Sequence, residues 1–445
     1  MAQNSQRNYY MVFLIFLTFF VISFLTNIMG PLIPDIIQSF SLSLALAGLL
    51  PFSFFIAYGV MSIPAGFLVE KYREKTAMLL AFSVAFCGAL LFALFPGYLV
   101  ATISLFLIGL GMAILQVAIN PLLRVSGGEE HFAFNSVLAQ LIFGGASFLS
   151  PRLYSYLVTS LPVAEKHNPL LDTLRPLVPQ KLPWVSLYWV FAVTTVLMLI
   201  ILVISRFPRV ELKEEEKAGT WSIYRILFRK KIVLLYFLGI MAYVGTEQGV
   251  ANWISQFLKT YHGLDPQTSG ARAVSYFWGL MTLGGLLGLL LLKLFDSRKV
   301  LLVASLLAII TLTLGLFGPS TVATLNLNLP GIFSGRIQLF TFSLLGFLAS
   351  VMWPIIFSLA LNSVEQYHGA FSGILCTGII GGALVPLLVG WLGDRFGLRQ
   401  GMFLLYLTLG YVLSIGIWAR PLISNETIWM RRKKKAATAA GVGQN

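Results

Sequence analysis

Residues 206–231 read RFPRVELKEEEKAGTWSIYRILFRKK and form the most polar stretch of this 445-residue chain. Six apolar segments lie before it and six after it, and a helix needs roughly 20 apolar residues to cross a bilayer. The first six cover residues 10–40, 44–69, 76–95, 98–123, 133–158 and 185–205, and the second six cover 232–258, 269–292, 299–318, 337–362, 369–392 and 400–419. The sequence therefore predicts an all-α membrane protein whose twelve transmembrane helices form two pseudo-symmetric six-helix bundles.

The composition supports a membrane location. Hydrophobic residues make up 57% of the chain and charged residues only 11%, whereas soluble domains carry about 25% charged residues. The two cysteines, Cys87 and Cys376, both fall in apolar segments. Neither a disulfide framework nor a metal site is therefore predicted.

The distribution of basic residues predicts the orientation. An even number of spans places both termini on one side, and that side receives 22 of the 31 Lys and Arg residues. Cytoplasmic loops carry an excess of Lys and Arg, so we expect both termini in the cytoplasm and the chain in a plasma membrane, the inner membrane of a bacterium. The net charge of +14 then reflects topology and attraction to anionic lipid, not nucleic-acid binding.

The predicted domains follow from this orientation. Residues 1–205 form a first six-helix bundle, 206–231 a cytoplasmic linker, 232–419 a second bundle, and 420–445 a basic cytoplasmic tail. The halves also repeat, because AF at 133–134 precedes GGA at 144–146, and AF at 370–371 precedes GGA at 381–383. Both copies fall in the fifth helix of their half. Such repeats place a transport site between two mobile halves in many carriers.

Motifs for chemistry are missing from the sequence. It contains no phosphate-binding loop, no HExxH and no paired carboxylates within a span, and its four histidines fall in loops or at span ends. We therefore expect a transporter and not an enzyme, with no cofactor.

Polar and aromatic side chains inside the spans are the candidate solute-binding residues. Polar groups are costly to bury in a membrane, so they tend to line a cavity. Amides can bond the hydroxyls of a sugar, and tryptophan can pack on its apolar face. The alternative is that the amides pair between helices and the tryptophans pack as core. The candidates are Asn27, Gln116, Asn120, Gln140, Asn252, Asn362, Trp253, Trp278 and Trp353.

Glu247 is the candidate coupling residue. It follows Lys231 by sixteen residues, or about 24 Å along a helix, and is the acidic residue that we place near the middle of a span. A lone acid at that depth requires either a partner or a titration role.

Six of the twelve spans carry motifs that resemble a known family. QVAINP at 116–121, LAQ at 138–140, YVGTE at 243–247, YFWG at 276–279, WPIIFSLAL at 353–361 and GGA at 381–383 are similar to motifs of the fucose and glucose/galactose proton symporters of the major facilitator superfamily. The resemblance implies a monomeric secondary transporter that works by alternating access. The glutamine at position 116 resembles the form that this motif has in the hexose branch of the family, since fucose carriers tend to have Glu there.

Two further motifs resemble the general superfamily loop GxxxDRxGRK. In GFLVEKYREK at 66–75, the resemblance gives Gly66, Glu70 and Lys71 a role in the cytoplasmic gate. GWLGDRFGLR at 390–399 lies on the other side in the predicted topology and is not counted as a gate.

The sequence departs from the family at two positions. Gly30 stands where the first helix usually has the Asp thought to carry the coupled proton, and Gly285 stands where the eighth helix usually has Arg. Coupling by the usual site is therefore not expected, and Glu247 would have to carry any coupled proton.

The leading hypothesis is a secondary active or facilitated transporter of a small neutral polyhydroxylated solute, a hexose or 6-deoxyhexose, that works by rocker-switch alternating access, with coupling to a proton or another cation left open. The alternative within transport is a uniporter or exporter of another neutral or amphipathic solute, such as a nucleoside, a peptidoglycan fragment or a drug. A membrane sensor that no longer transports is the remote alternative. Which solute, which ion and which direction of flux are left open by the sequence.

Overall fold

The computed structural model describes residues 8–208, 210, 221–329 and 335–422. Residues 209 and 211–220 of the predicted linker and nearly all of the predicted basic tail lie outside these residues. Among the described residues, ten helical segments are long and apolar enough to cross a membrane. They are Tyr9–Phe40, Leu44–Leu94, Tyr98–Gly127, Pro183–Ile204, Lys231–His262, Pro266–Leu294, Ser297–Phe317, Thr341–Leu361, His368–Phe396 and Leu398–Trp418.

Two of the twelve predicted spans are joined in one 51-residue helix, Leu44–Leu94. Arg73 interrupts it with φ 67° and ψ 164°, and the chain reverses there. The Tyr98 hydroxyl donates to the Leu46 carbonyl, and Gly109 packs against the Phe54 backbone. Residues 44–72 therefore run parallel to the helix that begins at Tyr98. Residues 74–94 run back against that helix, since Gly88 meets Ser104 and Ala81 meets Gly111.

The helix Phe132–Ser160 completes the set. Its 29 residues extend about 43 Å, enough to cross a bilayer. We number the spans 1 to 12 in chain order, with residues 44–72 and 74–94 as spans 2 and 3 and Phe132–Ser160 as span 5. Twelve spans are thus present in the described part of the chain, as predicted.

Span 1 is broken in its middle. Its first helix, Tyr9–Thr26, ends at the cap residue Asn27, and its second, Met29–Phe40, begins two residues later. Short helices lie between the spans at Pro169–Leu174 and at Trp221–Phe228, which we call the linker helix. Span 11 also changes winding where a 3₁₀ turn, Gly378–Ile380, separates His368–Thr377 from Gly381–Phe396.

A β-hairpin between spans 9 and 10 departs from the all-α prediction. Strands β1 (Thr324–Leu329) and β2 (Gly335–Phe340) pair antiparallel, with Thr324 opposite Phe340. The predicted tenth span, 337–362, is therefore wrong at its start, because the helix begins at Thr341. The apolar residues that close β2 continue directly into the helix, so hydropathy alone does not separate the two.

Buried hydrophobic side chains form two clusters. One consists almost entirely of residues between Met11 and Leu202, and the other almost entirely of residues between Tyr224 and Ala419. Among the described residues, the fully buried members that come from the opposite half are Ala271 and Ala383 in the first cluster, and Ile33 and Ala47 in the second. Packing is thus mainly within each half.

Hydrogen bonds join the two halves on one side of the protein. We call the side where span 1 begins and span 12 ends the terminal side, and the other the opposite side. On the opposite side Asp394 bonds the backbone of Leu44 and Ala45, and Lys259 reaches Gln38 at 3.5 Å. The halves are therefore in contact at the opposite side.

Candidate functional site

A chain of hydrogen bonds on span 7 holds Glu247. Tyr243 donates to its Oε2 at 2.5 Å, and the Gln248 amide donates to its Oε1 at 3.0 Å. Asn252 donates to the backbone carbonyl of Gln248 at 2.8 Å and to its side-chain oxygen at 3.3 Å. Glu247 is half-buried, and the other three are buried. The carboxylate is thus held by two neutral donors of its own helix, and no Lys, Arg or His of the described residues pairs with it.

An aromatic wall from span 10 stands beside this chain. The ring centroids of Tyr243 and Trp353 are 6.0 Å apart, and Trp353 stacks on Phe357 at 5.9 Å. Trp353 is half-buried, with exposed Pro354 next to it. Its ring therefore keeps free surface near Glu247, as a stacking platform requires.

The first half presents two amides from span 4. Gln116 and Asn120 follow Gly109 by seven and eleven residues, which places all three on one helical face. Gly109 packs against the Phe54 backbone, but Gln116 is half-buried and Asn120 is exposed. Asn120 donates only a long bond, 3.3 Å, to the Gln116 carbonyl. Most of the hydrogen-bonding capacity of these two amides is left for a bound molecule.

Spans 5 and 8 separate toward the terminal side. Gly144 packs on Thr282, Phe148 packs on Gly279, and Arg152 reaches Ser275 at 3.2 Å. Gln140 lies one turn before Gly144 on the same face and is exposed. Gly285 has no neighbour within 4 Å of its Cβ position. Gln140 therefore faces an open gap between the halves.

Three of the predicted residues make packing contacts instead. Trp253 is 0% exposed, and its indole donates to the Pro386 carbonyl at 3.0 Å. Asn27 is 5% exposed and donates to Ser147 at 2.8 Å. Asn362 follows the end of span 10, and its side-chain amide donates a long bond, 3.5 Å, to the Ser358 hydroxyl of that span. In this conformation these contacts fit the alternative of helix pairing and core packing, and the three binding roles stay predictions.

Trp278 combines burial with an unused donor. It is 5% exposed and packs edge-on against Phe277 at 5.1 Å. Its indole nitrogen has no hydrogen-bond partner among the described residues. A buried donor without a partner is unusual and costly, so a role toward a bound molecule stays a prediction for this residue.

Gly30 and Gly285, the two positions where the sequence departs from the family, have different surroundings. A Cβ on Gly30 would lie 2.2 Å from the Ala251 carbonyl, because spans 1 and 7 touch there. An Asp at that position therefore does not fit this conformation. Gly285 lies in open space, so its lack of a side chain widens the gap beside Gln140.

The predicted gate residues lie at the terminal-side end of span 2. Gly66 is half-buried, and Glu70 and Lys71 are exposed. Lys71 lies over the Tyr72 ring at 5.1 Å. Burial, with a smaller contribution from the nearby Glu70 carboxylate, raises the pKa of Tyr224 in the linker helix. The terminal-side end of span 2 also contacts the linker helix, since the Phe67 and Trp221 rings stack at 6.1 Å, and the gate role of Glu70 stays a prediction.

Asp35 is a buried acid that sequence reasoning missed. It is 6% exposed, accepts from Tyr154 at 2.5 Å and accepts from Gln267 of the second half at 3.2 Å. It borders an opposite-side cavity of about 480 Å³ that Gln38 and Lys181 also line. The available signal was an acid inside a predicted span, directly after Pro34.

Comparison with known proteins gives consistent similarities. Residues 15–386 match the Major Facilitator Superfamily. The chain is 31% identical to the glucose/galactose transporter of Brucella abortus biovar 1 (strain 9-941) over 93% of this chain and 95% of that one. It is 25% identical to the L-fucose-proton symporter of Escherichia coli (strain K12), over 88% and 89% of the two chains. The crystal structure of the E. coli fucose:proton symporter has a similar fold, with a TM-score of 0.63 and 21% identity over 93% of this chain and all of that one.

Proposed function

The chain belongs to the Major Facilitator Superfamily, in the family of the glucose/galactose transporters and L-fucose-proton symporters, and from this premise we propose that it carries a monosaccharide by alternating access. The substrate class is a neutral hexose or 6-deoxyhexose. No catalytic step is part of this function, and the protein works as a monomer in a bacterial inner membrane.

The observation that carries the proposal is the chemistry of the polar and aromatic side chains that stay partly or fully exposed within the spans. Gln116, Asn120 and Gln140 present amides with unused donors and acceptors from the first half. Trp353 presents a half-buried ring from the second half. Amides bond hydroxyl groups in both directions, and an indole ring packs on the C–H face of a pyranose. This combination suits a neutral, hydroxyl-rich solute.

The transport cycle moves residues 1–205 against residues 232–419. The separate hydrophobic clusters of the halves support this division, since packed groups move together more readily than they rearrange. With both termini in the cytoplasm, contact on the opposite side and the gap at Gln140 correspond to a carrier open inward. Solute released there would leave past Gln140 and Gly285.

Glu247 is the coupling residue in this proposal. Its carboxylate lies between the Trp353 wall and the amides of span 7, and its hydrogen bonds come from neutral groups. A proton can therefore bind it without breaking an ion pair. Gly30 offers no acid at the usual family position, so the proton has no other site on that part of span 1.

The test is uptake of labelled hexose into proteoliposomes with and without an inward proton gradient. Wild type, Glu247→Gln and the matched control Glu365→Gln, an exposed acid near the end of span 10, are compared. Gradient-driven accumulation by wild type and the control, with only equilibration by Glu247→Gln, supports both substrate and coupling residue. If wild type moves no hexose under any gradient, the substrate assignment is wrong.

Uniport of the same solute is the second candidate. Gly30 and Gly285 remove the acid and the base that the family usually carries, and this observation favours it. In that case wild type and Glu247→Gln would equilibrate hexose equally and ignore the gradient.

A further inference from the structure

The loop motif GWLGDRFGLR at 390–399 has no part in the solute site, yet its acid reaches the first half. Asp394 Oδ1 accepts from the Leu44 N–H at 2.7 Å, and Oδ2 accepts from the Ala45 N–H at 2.8 Å. These are the first two N–H groups of span 2, which no carbonyl of the helix itself can satisfy. An acid of the second half thus caps a helix of the first half.

The basic residues of the motif have partners within the second half. Arg395 lies over the Trp391 ring at 4.0 Å, and Arg399 lies over the Tyr261 ring at 4.5 Å. The Arg399 backbone N–H also donates to the Tyr261 hydroxyl at 3.0 Å. In the described part of the chain no basic side chain forms a salt bridge with Asp394. Its charge is therefore directed at the span 2 terminus, where the helix dipole favours an anion.

Close backbone contact brings the two elements together. A Cβ on Gly390 would lie 2.4 Å from the Leu44 carbonyl, and one on Gly48 would lie 2.9 Å from the Leu387 Cα. Ser43, the cap residue just before span 2, accepts a hydrogen bond from the Leu46 N–H, so it leaves the first two N–H groups to Asp394. The cap is thus shared between the halves.

We propose that Asp394 is a latch that holds the opposite side closed by capping span 2, and that it must release for the carrier to open to that side. This rests on the proposed alternating access. When the ends of spans 2 and 11 separate, these two hydrogen bonds break, and both N–H groups and the carboxylate bond to water instead. The contact therefore stabilises one of the two conformations only, and it sets how often the carrier opens to the opposite side.

The latch can be measured without any solute. Gln38 and Lys259 lie on the opposite side in different halves, with side chains 3.5 Å apart. We replace both by Cys in a Cys87→Ser, Cys376→Ala background and follow the rate of bridging by a short bismaleimide in proteoliposomes. Asp394→Ala should bridge roughly tenfold more slowly, given the worth of charged hydrogen bonds. Asp394→Asn should lie between, because its amide oxygen still accepts one N–H.

Asp172→Asn is the matched control, an opposite-side acid paired with Arg175 of the same half, and it should bridge at the parent rate. Each variant is first shown to elute as the parent does in size exclusion. If the elution profile of Asp394→Ala differs from that of the parent, the test rests on the bridging rate of the near-isosteric Asp394→Asn. Parent-like bridging in a folded Asp394 variant overturns the latch. Slower bridging in a protein that moves no hexose keeps the latch and overturns the substrate assignment.

Discussion

Arg73 and Gly397 adopt the same unusual backbone conformation, with φ 67° and ψ 164° at Arg73 and φ 94° and ψ 149° at Gly397. Each is the eighth residue of one of the two similar loop motifs, 66–75 and 390–399. Such angles are nearly restricted to glycine, and another residue is strained there by about 1–3 kcal/mol. Only the second motif has a glycine to relieve the turn.

Arg73→Gly should therefore stabilise the protein. We expect the free energy of unfolding to rise by about 1 kcal/mol, since part of the relieved strain is offset by the greater freedom of glycine in the unfolded chain. The measurement is thermal unfolding in detergent. Arg225→Gly, in the linker helix, is the control and should be neutral or destabilising. A lower unfolding temperature for Arg73→Gly would contradict the strain at this turn.

Tyr243→Phe should weaken coupling without abolishing solute binding. It removes the 2.5 Å hydrogen bond to Glu247 but keeps the ring beside Trp353. Because a hydrogen bond to a charged group contributes about 1.5–3 kcal/mol, we expect gradient-driven accumulation to fall roughly tenfold. The measurement is hexose uptake into proteoliposomes.

Tyr411→Phe is the matched control, because the Tyr411 hydroxyl donates to the Leu235 carbonyl away from the site. It should leave uptake unchanged. Equal accumulation by both tyrosine variants would show that the bond to Glu247 has no part in coupling.

Gln116→Ala and Asn120→Ala should weaken solute affinity. Each removes a half-buried or exposed amide from the same face of span 4. A neutral hydrogen bond contributes about 0.5–1.5 kcal/mol, so the apparent affinity should fall about two- to twelvefold. Binding of labelled hexose to protein in detergent measures this. Gln180→Ala, in an opposite-side loop, should bind as wild type does, and unchanged affinity of Gln116→Ala would remove that residue from the site.

Gly381→Ala should destabilise the protein, whereas Gly145→Ala should not. A Cβ on Gly381 would lie 1.9 Å from the Met241 carbonyl, but one on Gly145 has no neighbour within 4 Å. Overpacking costs about 1–3 kcal/mol, while Gly to Ala in an open helix gains about 0.5–1 kcal/mol. Thermal unfolding in detergent compares the two. Similar unfolding temperatures would show that spans 7 and 11 can move apart at this point.

The sequence was sufficient for the spans because their length and apolar composition are local properties. The predicted 98–123 compares with Tyr98–Gly127, and 299–318 with Ser297–Phe317. The hairpin was missed because an apolar strand that runs into an apolar helix looks like one long span. Polar residues within spans could be selected as candidates for the same local reason.

Contacts between the halves could not be predicted in this way. Whether Gln140 faces a gap while Trp253 is enclosed depends on how the helices pack. Asp35 and Asp394 each receive hydrogen bonds from the other half, and nothing local to either acid indicates its partner. The motif at 390–399 was not counted as a gate, because the predicted topology places it on the non-cytoplasmic side and the general superfamily motif was expected to act at the cytoplasmic gate.

Two hydrophobic clusters in one chain, the first mainly within residues 11–202 and the second mainly within 224–419, make the protein resemble two subunits joined by a covalent link. A short covalent link holds two such partners at an effective concentration on the order of millimolar. A cut in this connection would therefore turn pairing of the halves into a concentration-dependent equilibrium in the plane of the membrane. Co-produced fragments should then reassemble, and their yield would report the strength of the contacts that the transport cycle repeatedly makes and breaks.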